Sequence, residues 1–316
     1  MITALLLNTL LAPAGPSLGA APHSPSPHPV QQVAGTADML PFLQAGIVED
    51  DGAAMRVYEA GELRMLGQRI ATAACAWAAG APEAQADLVA SVAKFDAIIH
   101  ALKYGDPSLG IPTAETDRRV LTDLVATHDI WDPLHGILDD VTANGPTPEK
   151  IGQIAEASYP LLKTTNHLVS VVMAEYSNPT ELLQADAIRL DFASRQETLA
   201  EQVAKDICLI FLGIGDIEGE RAEMIEAAAL FEATLAALHD GYPALGIAPP
   251  PNDTILAELE AIEAEWAPMR PIIARIAEGG TPTAEDIPFV YANMTQITDH
   301  MAELVLLYVE ASKLAL

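Results

Sequence analysis

Asp106-Pro107-Ser108-Leu109-Gly110-Ile111 and its echo Tyr242-Pro243-Ala244-Leu245-Gly246-Ile247 decide how the whole chain is read. Both follow a helical run by the same interval, with Phe95-Asp96-Ala97 ahead of the first and Phe231-Glu232-Ala233 ahead of the second. Working outward, Trp131-Asp132-Pro133 returns as Trp266-Ala267-Pro268, and Thr147-Pro148 as Thr281-Pro282. Asn166-His167 returns as Asp299-His300, and Cys75 as Cys208. The spacing drifts only from 133 residues at the cysteines to 136 at the turn, so insertions between the halves are tiny. A fixed period over such length marks an internal duplication.

Each half reads as four helices. The first spans about Glu49 to Ala79 and breaks at Gly80-Ala81-Pro82. The second runs from about Glu83 to Tyr104 and stops at Gly105-Asp106-Pro107. The third begins near Ala114 and ends at Asn144-Gly145-Pro146, with a kink expected at Pro133 and again at the matching Pro268. Thr147 is placed as a helix cap with Pro148 at the first helical position, and the fourth helix ends near Ser177-Asn178-Pro179. Half of the residues are apolar but only 5% are aromatic, a composition that suits helix-on-helix packing. The expected fold is all-α: two tandem up-down four-helix bundles, over residues 38–178 and 179–316.

Residues 1–21 combine a short apolar run with Ser17-Leu18-Gly19-Ala20-Ala21 and read as a secretory signal with a small-residue cleavage site. Residues 22–37 read as a Pro-rich leader, and the expected location is periplasmic or secreted, with the N-terminus either removed or kept as an anchor. A net charge of −28 excludes binding to nucleic acid or anionic lipid through a basic surface. No phosphate-binding glycine loop, His-Glu-x-x-His or nucleophile elbow occurs, so neither an enzyme nor a cofactor is expected. The acids read as the outer faces of the helices.

The first helix carries Tyr58-Glu59-Ala60-Gly61-Glu62-Leu63-Arg64-Met65-Leu66-Gly67-Gln68-Arg69-Ile70-Ala71. Through Ala60, Gly61, Leu63, Arg64, Met65 and Arg69 it resembles the opening helix of PilJ-type sensor domains. That family comprises the N-terminal domain of type IV pili methyl-accepting chemotaxis transducers and the sensor of nitrate/nitrite kinases. The resemblance implies a four-helix bundle in which the Arg of the Leu-Arg-Met core, here Arg64, comes from both members of a dimer and grips one nitrate. It points to Arg64, Gly61, Met65, Gln68 and Arg69 as ligand residues, and to a membrane sensor or other protein as partner. The chemistry agrees, because a planar guanidinium forks onto a planar oxyanion. Gly61, one turn earlier, is expected to let two helices approach closely.

The second copy departs from this pattern. Arg64 maps to Glu197, Met65 to Thr198 and Arg69 to Gln202, while Arg195 falls two positions before the ligand position. Two readings follow. If two chains pair through their first copies, two Arg64 residues converge and a nitrate or nitrite site survives. If the two copies pair within one chain, Arg64 faces Glu197, a salt bridge fills the anion position, and the protein is a scaffold or interaction module. Cys75 shares the Arg64 face of its helix, and a two-fold pseudo-dimer would bring it near Cys208, either as a disulfide or as two buried thiols. His128, Asp132, His135 and Asp139 form a weak metal-ligand stripe along the third helix, with a solvated polar face as the plainer account.

Overall fold

A computed structural model of the protein describes residues 52–176 and 184–314. The signal, the leader and the junction between the copies at 178/179 therefore lie outside the described residues. The first bundle comprises α1 (Ala53–Ala78), α2 (Ala84–Tyr104), α3 (Arg118–Asn144) and α4 (Pro148–Tyr176). The second comprises α5 (Gln184–Leu212), α6 (Ile217–Asp240), α7 (Asp253–Trp266), α8 (Arg270–Ala277) and α9 (Asp286–Leu314). In the first bundle α1 packs on α2 and α4, and α3 closes the ring against both; α5, α6, α7–α8 and α9 repeat that arrangement.

The repeated motifs perform the same tasks in each bundle. Phe95 stacks on Trp131 and Phe231 on Trp266, with ring centroids 3.9 and 4.1 Å apart. The buried indole nitrogens donate to Asp96 Oδ1 at 2.7 Å and to Glu232 Oε1 at 2.9 Å, so neither tryptophan leaves a polar atom unpaired. The repeated Pro-x-Leu-Gly-Ile segment is a single 3₁₀ turn closed by an antiparallel bridge, Asp106 with Ile111 and Tyr242 with Ile247. Gly110 and Gly246 leave it at φ of 69° and 75°, the left-handed region that a side chain disfavours.

Two boundaries differ from expectation. α3 begins at Arg118 rather than near Ala114, because the buried Glu115 carboxylate accepts from the backbone N–H groups of Thr116 and Asp117 and holds this segment out of the helix. Asp117 then caps α3 by accepting from the N–H groups of Arg119 and Val120. The two proline positions also behave differently. Pro133 sits within the unbroken α3, whereas at Pro268 the helix tightens into a 3₁₀ turn, Ala267–Met269, before α8. Pro271 follows Pro268 by three residues, so two backbone donors are lost within one turn instead of one.

The bundles join through their first helices, and α1 packs along α5. Cys75 and Cys208 are bonded as a disulfide, with Cα atoms 6.1 Å apart and 133 residues between them. Thr72 Oγ1 donates to the Glu201 carbonyl at 3.0 Å, a separation of 129, and Arg64 donates to Ser194 Oγ at 2.9 Å, a separation of 130. A near-constant separation along the seam means the two helices run parallel, with like positions side by side. α1 is thereby enclosed by its own bundle on one side and by α5 and α9 on the other. That explains why Ala60, Leu63, Leu66, Ile70, Ala73, Ala74 and Cys75 are all buried without forming one apolar stripe.

Candidate functional site

The seam gathers an unusual concentration of buried charge. Arg64 leaves α1 toward α5 and is only 3% exposed. Its Nη2 donates to Ser194 Oγ, and its Nη1 lies 3.8 Å from Asp191 Oδ1. The other oxygen of the same carboxylate, Asp191 Oδ2, takes Arg195 Nε at 3.0 Å. One guanidinium from each bundle therefore flanks a single planar carboxylate. Burial pushes Arg64 below its ordinary value and Asp191 works against that shift. The Nε of Arg64 is buried with no hydrogen-bond acceptor.

Glu197, the position matched to Arg64, is close by but closes no ion pair with it, which corrects the expected Arg64–Glu197 bridge. The cause is side-chain direction. Helical side chains lean toward the helix N-terminus, so between parallel helices Arg64 reaches residues of α5 that precede its own match. Those residues are Asp191 and Ser194. Glu197 instead lies near Glu62 of α1 on the wall of one cavity, and Glu62 Oε2 is 2.5 Å from Lys94 Nζ.

Several acids are thus not on outer faces, contrary to expectation. Glu59, Glu62, Glu197, Glu201 and Asp206 are all buried. Desolvation, then the neighbouring Glu62, pushes the Glu59 carboxyl up to about 7. The same two causes in the same order hold Glu197 well above the carboxylate range. Burial also raises Glu201, against the pull of Arg69. Asp206 is raised by burial beside Lys205, whose Nζ lies 3.1 Å from its carboxylate.

Beside the Glu62–Glu197 contact is a cavity of about 280 Å³, walled by α1 and α2 of the first bundle and by α5 and α9 of the second. Met65 and Arg69 line it. Arg69 is held by Thr298 Oγ1 at 3.2 Å, Glu201 at 3.8 Å and Asp87 at 3.9 Å. Asp87 also accepts from the Tyr291 hydroxyl at 2.6 Å, a further link between the bundles.

The model of the type IV pili methyl-accepting chemotaxis transducer N-terminal domain, PilJ, matches residues 49–157 and again 181–286. The chain belongs to the PilJ family. The two matches start with α1 and α5, as expected of tandem copies. No relative among the curated proteins matches the chain.

The PilJ-like first helix distributes its expected ligand residues over three surroundings. Arg64 sits at the carboxylate clamp, and Met65 and Arg69 at the cavity. Gln68 turns into its own bundle and donates to the Ser158 carbonyl at 3.3 Å. Gly61 does not bring helices together: a Cβ there would meet only the Arg64 guanidinium, at 3.8 Å, an ordinary contact that does not require a glycine. Asp191, Ser194, Glu59 and Glu62 escaped the sequence reading. The signal that could have found Ser194 was its match to Gly61 across a parallel seam.

The histidine stripe does not converge. His128 meets Asp132 at 3.3 Å, while His135 meets Asp96 of α2 at 3.0 Å and Asp139 at 3.3 Å. Eleven residues of helix cover about 16 Å, too far for one ion to collect them. The paired His167 and His300 each contact a carboxylate of the neighbouring helix, Asp123 and Glu258, which fits a shared interhelical hydrogen bond.

Proposed function

We propose that this chain is an exported PilJ-type signalling module that works through a protein partner and whose oxyanion position is filled by its own Asp191. The observation that carries this reading is the clamp, in which Arg64 and Arg195, one from each bundle, take the two oxygens of one carboxylate. By resemblance, the corresponding place between two such helices is where two arginines would hold nitrate. A tethered carboxylate is always present at that position. Free nitrate or nitrite must displace it and leave Asp191 without its cations, a costly exchange in a half-buried place. Pairing of two chains through their first copies would also need the α1 face that α5 already covers.

Export is supported by the Cys75–Cys208 bond, since disulfides persist in oxidising compartments, together with the apolar N-terminal run. Among the described residues no helix is long and apolar enough to cross a membrane. The second reading, an oxyanion sensor, is favoured by the convergence of Arg64 and Arg195 and by the unpaired Arg64 Nε. Isothermal titration of the mature protein with nitrate and nitrite, beside Arg64→Ala, separates the two. The proposal expects no heat from either protein; wild-type heat that vanishes in Arg64→Ala would establish the sensor instead.

A further inference from the structure

The seam cavity is unbalanced in charge. Four carboxylates line it, Glu62, Asp87, Glu197 and Asp299, against two cations, Arg69 and Lys94. Both cations are already committed, Lys94 to Glu62 and Arg69 to Asp87 and Glu201. Among the described residues neither Glu197 nor Asp299 closes an ion pair. Glu197 is 3% exposed, and the charge that acts on it most strongly is that of Glu62, another carboxyl lining the same cavity. Burying an acid against an acid, beside open volume, is unfavourable unless a positive charge or a proton enters. Met65, Leu66, Ala90 and Ala302 give the wall an apolar strip, and the neutral Tyr58, Ser91 and Thr298 complete it.

We propose that this cavity binds a small organic amine. One ammonium group sits between Glu197 and Glu62, the methylene chain lies on Met65, Leu66 and Ala302, and a second ammonium reaches the exposed Asp299. An anion is disfavoured by the lining and by the overall charge of −28, which draws cations toward the protein. A bare metal ion is disfavoured by size. Among the described residues the groups of donor atoms close enough to hold one lie elsewhere, at Glu258, His300 and Glu303 and at Asp206, Glu220 and Glu223. The clamp residues Arg64 and Asp191 do not line the cavity, so the amine site stands or falls apart from the function proposed above.

The test is calorimetric titration of the full chain, near neutral pH and at matched ionic strength. Three probes share a four-carbon chain: 1,4-diaminobutane, 4-aminobutanoate and butanedioate. The diamine is expected to bind with one molecule per chain and the other two not to bind. Glu197→Gln should weaken the diamine by about tenfold or more, the scale of one lost charge-assisted contact. Ala302→Phe fills the cavity without altering any charge and should abolish binding, with helical circular dichroism confirming that both variants fold. Three results would overturn the proposal: no diamine binding by the wild type, equal binding by all three proteins (diffuse counter-ion attraction), or preference for the zwitterion or the dianion.

Discussion

At the seam the two bundles carry the same charges in opposite order. The first has Glu62-Leu63-Arg64 and the second Arg195-Gln196-Glu197. Because the helices run parallel, this reversal does not give two cross-bridges. Like meets like: Glu62 contacts Glu197, and Arg64 and Arg195 converge on one place. Each like-charged pair then needs a mediator. The arginines have Asp191; of the carboxyls, Glu62 has Lys94, while burial and then Glu62 hold Glu197 well above the carboxylate range. Away from the seam the bundles stay alike, down to the stacked Phe–Trp pair and the turn that follows the second helix. Packing within a bundle has been kept, while the face between bundles has changed its chemistry.

The strongest way to break this comparison is to uncouple the halves. Removing the disulfide with Cys75→Ser and Cys208→Ser should cost about 4–5 kcal/mol, the chain-entropy figure for so long a loop. Calorimetry should then show a melting temperature lower by about 10 °C, or two transitions in place of one. A single unchanged transition would mean that the seam holds without the bond.

The next effect tests the carboxyl pair. Glu59 and Glu197 bind a proton more tightly in the folded protein than unfolded. Their contribution is therefore most favourable below the ordinary value of 4.5 and is lost as the pH rises, through about 7 for Glu59 and well above 4.5 for Glu197. Glu197→Gln removes the charge but keeps the shape. It should raise the melting temperature at about pH 8 by several degrees, change it little at about pH 5, and flatten the slope between them. A variant whose pH profile parallels the wild type would contradict this account of the seam.

A smaller effect sharpens the likeness within the bundles. Trp131→Phe and Trp266→Phe each remove one buried indole hydrogen bond while retaining the stack, and should cost about 1–2 kcal/mol apiece by chemical denaturation. Equal losses would support equivalent cores; a clear inequality would show that the break at Pro268 has loosened the second.

How far the sequence discloses this design depends on what each feature requires. The turn glycines, the Trp-x-Pro positions and the helix stops act locally, so their repetition makes two four-helix bundles legible in the sequence. The start of α3 was misplaced because Glu115 acts through Arg56 of α1 and Tyr176 of α4, residues distant in the chain. At the candidate site, Arg64 and the matched Glu197 were legible, but not their partners. Buried acids cannot be told from surface acids in a chain with 44 of them, because burial here comes from the second bundle covering a face the first would leave open. Asp191 was missed because a shift of one to two turns along a parallel seam is set by side-chain direction, not by register.

The most direct test of the clamp is nitrate titration into Asp191→Ala beside the wild type. Removing the carboxylate leaves Arg64 and Arg195 facing an empty place that suits a planar oxyanion. Nitrate should bind the variant, fail to bind the wild type, and be lost again when Arg64→Ala is added. Nitrate binding to the wild type, or none to a folded Asp191→Ala protein, would contradict the assignment of Asp191 as the resident oxyanion.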